Sequence, residues 1–169
     1  FIKQGLHQNP GNPALVDYLD ESIQNLRQSI KAHRPPLLDR GLTLALQGLV
    51  EDVRKVASSK TAIIWSTNFE GSPGLNDEQA TTIFRIAQEA LNNAVKHSKA
   101  SLVEVSLEQC PEQITHLKVS DNGSGLPWLQ PDGNLDHAHF GLVLMQERAA
   151  MIDARLSIST LPGEGTTIE

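Results

Sequence analysis

Two consecutive prolines, Pro35 and Pro36, constrain this chain more than any other feature, because no helix runs through such a step and the residue before a proline leaves helical geometry. The sequence has a different period on either side of them. Before the step, Val16, Leu19, Ile23, Leu26 and Ile30 recur at intervals of 3 and 4, with His33 next in register, which is the apolar seam of one heptad helix over about 14–33. Gln8-Asn9-Pro10-Gly11-Asn12-Pro13 is dense in turn formers and sets its start, and Arg34-Pro35-Pro36 sets its end. A seam of this kind is covered either by a second copy in a four-helix bundle or by the chain's own domain.

After Pro36 the pattern is mixed. Helices are expected near 42–56, 77–97 and 141–152, with Asn76 or Asp77 capping the second, and strands near 61–69, 101–107, 114–121, 155–160 and from 166 onward. A loop rich in Gly, Pro and Asp fills 122–139, and Pro162-Gly163-Glu164-Gly165 is a turn. Strands joined by short turns predict an α+β two-layer sandwich: a mixed, mostly antiparallel sheet with helices on one face, preceded by a dimerisation helix. Residues 1–34 are thus read as the remnant of a helical hairpin, 35–41 as a linker and 42–169 as the main domain. The start at Phe1 and the end at Ile168-Glu169, inside a strand pattern, lead to the expectation of a piece of a longer protein with a truncated last strand.

Composition narrows the functional classes. With 39% hydrophobic and 20% charged residues in 169, the chain can bury a core without staples. A net charge of −6 argues against a large nucleic-acid footprint, so no nucleic-acid partner is expected. The single cysteine, Cys110, can form neither an internal disulfide nor a thiolate zinc site, which fits a reducing, cytoplasmic setting. No apolar run is long enough to span a bilayer.

Four weak signals could carry chemistry. On the helix at 77–97, Arg85, Glu89, Asn92, Asn93 and Lys96 share one face, while Ile83, Ala87, Ala90, Leu91 and Ala94 share the other. Asparagine is a neutral oxygen ligand suited to Mg²⁺ already held by phosphates, Lys96 supplies a point charge, and Glu89 can polarise a water or nucleophile; an ordinary solvated face has the same outline. In Val119-Ser120-Asp121-Asn122-Gly123-Ser124-Gly125, alternation turns Asp121 toward the apolar side, where a buried acid needs a donor such as an adenine amino group. The same string also spells a plain Asp-Asn-Gly turn. Phe140-Gly141-Leu142 opens a helix whose free N–H groups can take an anion, and Gly163-Glu164-Gly165-Thr166 is a hairpin or a second ligand contact. The Walker A pattern is absent.

In order and spacing, these strings together resemble the ATP-binding catalytic domain of sensor histidine kinases, in the GHKL ATPase superfamily. Ile86 to His97 resembles the family's N box, Asp121-Asn122-Gly123-Ser124-Gly125-Leu126 its glycine box, His139 to Ala149 the second glycine box, and Pro162 to Thr166 the closing one. Arg34-Pro35-Pro36-Leu37-Leu38-Asp39 is similar to the junction in the nitrate/nitrite-sensor subgroup. The resemblance implies the histidine-kinase-type ATPase fold, ATP and Mg²⁺ as cofactors, Asn93 as Mg²⁺ ligand and Glu89 as the catalytic residue. It implies that Lys96 and His97 face the phosphates, that Asp121 reads the adenine, and that Gly123, Gly125, Gly141, Leu142 and Thr166 complete the site. It further implies γ-phosphoryl transfer to a histidine, then to a response regulator receiver domain, in a protein dimerised through its N-terminal helix.

Two departures from the family pattern stand out. Neither His7 nor His33 lies in an acid-flanked phosphoacceptor box, so the acceptor is expected to be absent from this chain, and Ile152-Asp153-Ala154-Arg155 replaces the usual double glycine. His137-Ala138-His139 has the spacing to chelate a transition metal, as mobile loops often do without function. The rival readings are a serine kinase or nucleotide-driven clamp of the same superfamily, and a non-catalytic docking or dimerisation module.

Overall fold

In the computed structural model the described residues are 35–69, 73–110, 114–125 and 137–169, with the backbone alone for 137–140. The expected dimerisation helix at 14–33 lies outside them, as do His7, His33 and most of the loop expected at 122–139. Three helices, α1 (Leu42–Val56), α2 (Asp77–His97) and α3 (His137–Met151), accompany five strands, β1 (Ala62–Thr67), β2 (Leu102–Gln109), β3 (Thr115–Asp121), β4 (Ile158–Leu161) and β5 (Gly165–Ile168).

The strand order is β1-β2-β3-β5-β4, and only the β1–β2 pair is parallel. That pair needs a crossover, which α2 supplies; β2–β3 and β4–β5 are antiparallel neighbours in sequence. Alternation then sorts the two faces. Ile63, Val103, Val105, Val119 and Ile168 are buried with Val50 and Val53 of α1, Ile86, Ala90, Leu91 and Ala94 of α2, and Leu142, Met145 and Ala149 of α3. The opposite face carries Glu104, and Ile64 is 47% exposed there, so among the described residues the helices cover one face only. This is the expected two-layer sandwich.

The segment read as a linker packs as part of this body. Pro36–Arg40 forms a 3-10 turn, and Leu38 is buried with Leu42, Leu46, Phe84 and Leu107. Arg54 ties α1 to β1 by donating through Nε and Nη2 to the Ile63 carbonyl at 2.9 and 2.6 Å. The turn after α3 closes without glycine: Asp153 takes φ 53, and the Ala154 N–H donates to the Ala149 carbonyl at 3.0 Å. An aspartate tolerates the left-handed region better than most side chains, so it substitutes for the missing glycine at the helix end. No described helix is long and apolar enough to cross a membrane.

Candidate functional site

The site is organised by α2. Its start is fixed by a capping box in which the Gln79 N–H donates to Asn76 Oδ1 at 2.9 Å and the Asn76 N–H donates to Gln79 Oε1 at 3.0 Å. Asp77 and Glu78 in the first turn and Lys96 and His97 in the last complement the helix dipole. Phe84, Ala87, Ala90, Leu91 and Ala94 are buried, which leaves Glu89 and Asn93 half-buried and Lys96 and His97 exposed on the other face.

Glu89 and Asn93 meet α3 at Gly141. A Cβ on Gly141 would strike the Glu89 carboxylate and would lie 3.4 Å from the Asn93 amide nitrogen, so the missing side chain makes room for both. The geometry corrects one sequence expectation, the start of α3. The helix begins at His137, a full turn before Gly141, so the first-turn N–H groups able to take an anion belong to 137–140 and not to Gly141. Leu142 is 3% exposed in the core beside Met145 and Ala149, because it lies on the sheet-facing side of α3. The side chains of His137 and His139 lie outside the described residues.

Arg148, two turns beyond Gly141 on the same face of α3, is half-buried; burial lowers its pKa, Glu89 raises it and Arg85 lowers it. Sequence reasoning gave Arg148 no role, although its seven-residue spacing from Gly141 would have placed it on the Glu89 side.

At its other end α2 meets the glycine turn. Asp121 closes β3 between Val103 of β2 and Thr166 of β5, and is 9% exposed. The Gly123 N–H donates to Asp121 Oδ1 at 2.8 Å. Burial pushes the carboxyl above the usual range for an aspartate, opposed by the hydrogen bonds from the Gly123 N–H, the Ser98 hydroxyl and the Thr166 N–H. A buried acid of this kind, turned toward the apolar layer, suits a ligand that brings its own donor.

The turn is held by close approaches. A Cβ on Gly123 would collide with Ser98, one on Gly125 (φ 71) would lie 2.5 Å from the Leu161 carbonyl oxygen, and one on Gly165 (φ 90) would overlap the Asp121 carbonyl. The Ser124 N–H donates to the Ser98 carbonyl at 2.7 Å, and the Ser124 carbonyl accepts from the Gly163 N–H at 2.9 Å. Asn122 Oδ1 accepts from the Ser101 and Leu102 N–H groups at 3.0 and 2.9 Å. Thr166 is buried, with its Oγ1 3.2 Å from Thr160 Oγ1. The structure therefore brings the predicted residues together in two groups, Asp121, Gly123, Gly125 and Thr166 at one end of α2's last turns and Glu89, Asn93 and Gly141 at the other. No group of three or more His, Cys, Asp or Glu side chains suited to a metal occurs among the described residues.

Comparison with known proteins gives the family and the fold. The model of the histidine kinase-, DNA gyrase B- and HSP90-like ATPases matches residues 78–169. A sensor protein NarQ homolog of Haemophilus influenzae is 31% identical over 153 residues, covering 89% of this chain and 25% of its own. The sensor histidine kinase LiaS of Bacillus subtilis is 35% identical over 158 residues, covering 92% of this chain and 41% of its own. The chain thus spans a quarter to two-fifths of the length of these curated relatives. Among solved structures, the histidine kinase domain of the Erythrobacter litoralis EL346 blue-light activated kinase superposes with a TM-score of 0.63 at 18% identity, over 76% of this chain and 58% of that one. The ATP-binding domain of PrrB from Mycobacterium tuberculosis gives 0.53 at 21% identity, over 76% and 90%. At such identities the superpositions establish the shared fold.

Proposed function

Since the chain belongs to the histidine kinase-, DNA gyrase B- and HSP90-like ATPase family and is an ATP-binding domain of the sensor-kinase type, we propose that it serves the phosphoryl-donor half of a two-component signalling protein. In this reading Asp121 accepts from the adenine amino group, with Gly123 and Gly125 giving the base a flat approach and Thr166 closing that end. Guanine would present a carbonyl oxygen to the carboxylate and be rejected. The observation that carries the reading is the buried, hydrogen-bonded Asp121 on the apolar face, beside the end of the helix that carries Asn93 and Glu89.

Beside Gly141 lie the Glu89 carboxylate and the Asn93 side-chain amide, whose oxygen is a hard ligand of the kind Mg²⁺ takes and fits an ion shared with nucleotide phosphates. When bound, Mg²⁺ neutralises charge on the phosphate oxygens. Asn93 would hold it, Lys96 and His97 would face the phosphates from the last turn of α2, and Glu89 would orient the attacking group. A histidine imidazole nitrogen forms the bond to the γ-phosphorus as the bond to the β-γ bridging oxygen breaks, with ADP leaving on that oxygen. The acceptor is a histidine other than His7 or His33, and an aspartate of a receiver domain takes the group next. The intact protein is proposed to be a homodimer through the helix at 14–33, with this domain in the cytoplasm.

Isothermal calorimetry with ADP, ATP and GTP, with and without Mg²⁺, tests the reading. Adenine-selective binding weakened by Asp121→Asn, and a Mg²⁺ effect lost in Asn93→Ala, are expected. Absence of nucleotide binding would sink the reading in favour of a docking module.

A further inference from the structure

Ser98 occupies the point where the last turn of α2, the segment leading into β2 and the glycine turn converge. Its hydroxyl donates to the Ala94 carbonyl at 2.5 Å and accepts from the Ala100 N–H at 3.1 Å, while its carbonyl accepts from the Ser124 N–H at 2.7 Å. Gly123 packs so tightly on it that no side chain fits between them. The Asp121 carboxylate is also within reach of the same hydroxyl. A hydroxyl carries one proton, so two acceptors compete for it.

We propose that Ser98 is a positioning residue for base recognition, whose hydroxyl turns its hydrogen bond from the Ala94 carbonyl to the Asp121 carboxylate and with Gly123 holds one of its oxygens, leaving the other for an exocyclic amino group. The inference rests on the reading of Asp121 as the adenine acceptor and adds the residue that orients it. With Asp121 ionised, the carboxylate is the stronger acceptor and receives the hydrogen bond. With Asp121 neutral, the hydroxyl returns to Ala94. Ser98 thereby joins the base end of the site to the helix that carries Asn93 and Glu89. The groups that hold the carboxyl are Ser98 just past the end of α2, Thr166 from β5 and Gly123 from the turn, none of them titratable, so the exchange depends on the charge of Asp121 itself.

The test is the pH dependence of ADP affinity, measured by calorimetry on the whole chain between about pH 4 and pH 8, for wild type, Ser98→Ala, Ser98→Thr and Asp121→Asn. Loss of a hydrogen bond to the charged form moves the Ser98→Ala midpoint upward by about one unit, which is about a tenfold loss of affinity below the midpoint and little loss well above it. Ser98→Thr keeps the hydroxyl and the wild-type profile. A merely structural cap would lower affinity equally at every pH. In the ligand-free protein, NMR titration of the Asp121 carboxyl carbon is expected to move in the same direction. Should the alanine variant not fold, Ser98→Cys, a weaker donor of similar size, is read in the same way. Wild type that binds ADP with a Ser98→Ala profile superimposed on its own overturns this inference alone. Wild type that binds no ADP overturns the underlying reading and this one with it.

Discussion

Gly163 and Gly165 stand two residues apart in the β4–β5 turn with nearly the same backbone, φ 80 and φ 90, yet alanine should have very different effects at the two positions. An L side chain at such φ costs about 1–2 kcal/mol, partly offset because alanine also restricts the unfolded chain, so about 1 kcal/mol remains. At Gly163 that is the whole effect, since an added Cβ meets nothing within 4 Å. At Gly165 the Cβ overlaps the Asp121 carbonyl, which is backbone and cannot rotate away. Relief requires β5 to part from β3, where it pairs Val119 with Ile168, Ser120 with Thr167 and Asp121 with Thr166. Exposing Ile168 alone forfeits about 2 kcal/mol of burial, bringing the Gly165→Ala loss to about 3–4 kcal/mol. At about 3 °C per kcal/mol for a domain of this size, thermal melting followed by circular dichroism should fall about 3 °C for Gly163→Ala and about 10 °C for Gly165→Ala. Two variants melting within about 2 °C of one another would refute the argument that the carbonyl contact, rather than the backbone angle, makes Gly165 irreplaceable.

Other outcomes follow from single contacts. Burial raises the Asp121 carboxyl, so between its unfolded and folded pKa the native state holds more protons and stability falls as pH rises through the folded value. Ligand-free Asp121→Asn lacks that slope, and in urea unfolding its advantage over wild type should widen with pH; a constant difference would refute the sign. Gly141→Ala adds about 1 kcal/mol of helix propensity but places a methyl where the Glu89 carboxylate lies. It should keep ADP affinity within about twofold while ATP turnover in the intact kinase drops about tenfold or more, and undiminished turnover would remove Glu89 from the catalytic step. The buried Oγ1 of Thr43 has no hydrogen-bond partner. Thr43→Val should therefore stabilise the domain by about 1 kcal/mol in the same unfolding assay, and a loss of that size would point to a partner for the hydroxyl.

How much could be read in advance depended on whether the determinant was local. The bounds of α2 were legible at both ends, since Asn76 and Gln79 spell a capping box and Lys96-His97 mark the last turn. Alternation along Leu117, Val119 and Asp121 turned the acid inward, as found. The start of α3 was obscured, because Asp136, a favoured capping residue just before His137, lies in a run of Pro, Gly, Asn and Asp that equally spells a loop. Gly141 matters through what it allows Glu89 to do, a contact between residues 52 positions apart that no local pattern encodes. Ser98 had a faint signal, a hydroxyl just past a helix end, but its partners come from α2, the segment before β2 and the glycine turn together. Asp153 reads as an ordinary acid until its φ of 53 marks it as the stand-in for a glycine.

The helix α2 is also a ruler. Asn93 lies within this rigid element and Ser98 caps its C-terminal end, about 7.5 Å further along the axis at 1.5 Å per residue, and whatever spans the two ends of the site must match that interval. Length here is not adjustable in small steps: one residue added between them lengthens the interval by about 1.5 Å and also swings one determinant about 100° around the axis, so both ends cannot engage together. An added residue at Lys60, in the exposed turn between α1 and β1, changes neither distance nor phase. Tolerance of insertions and deletions should thus vary sharply along this chain, and the last two turns of α2 are where a single codon gained or lost erases the site while leaving most of the core able to pack.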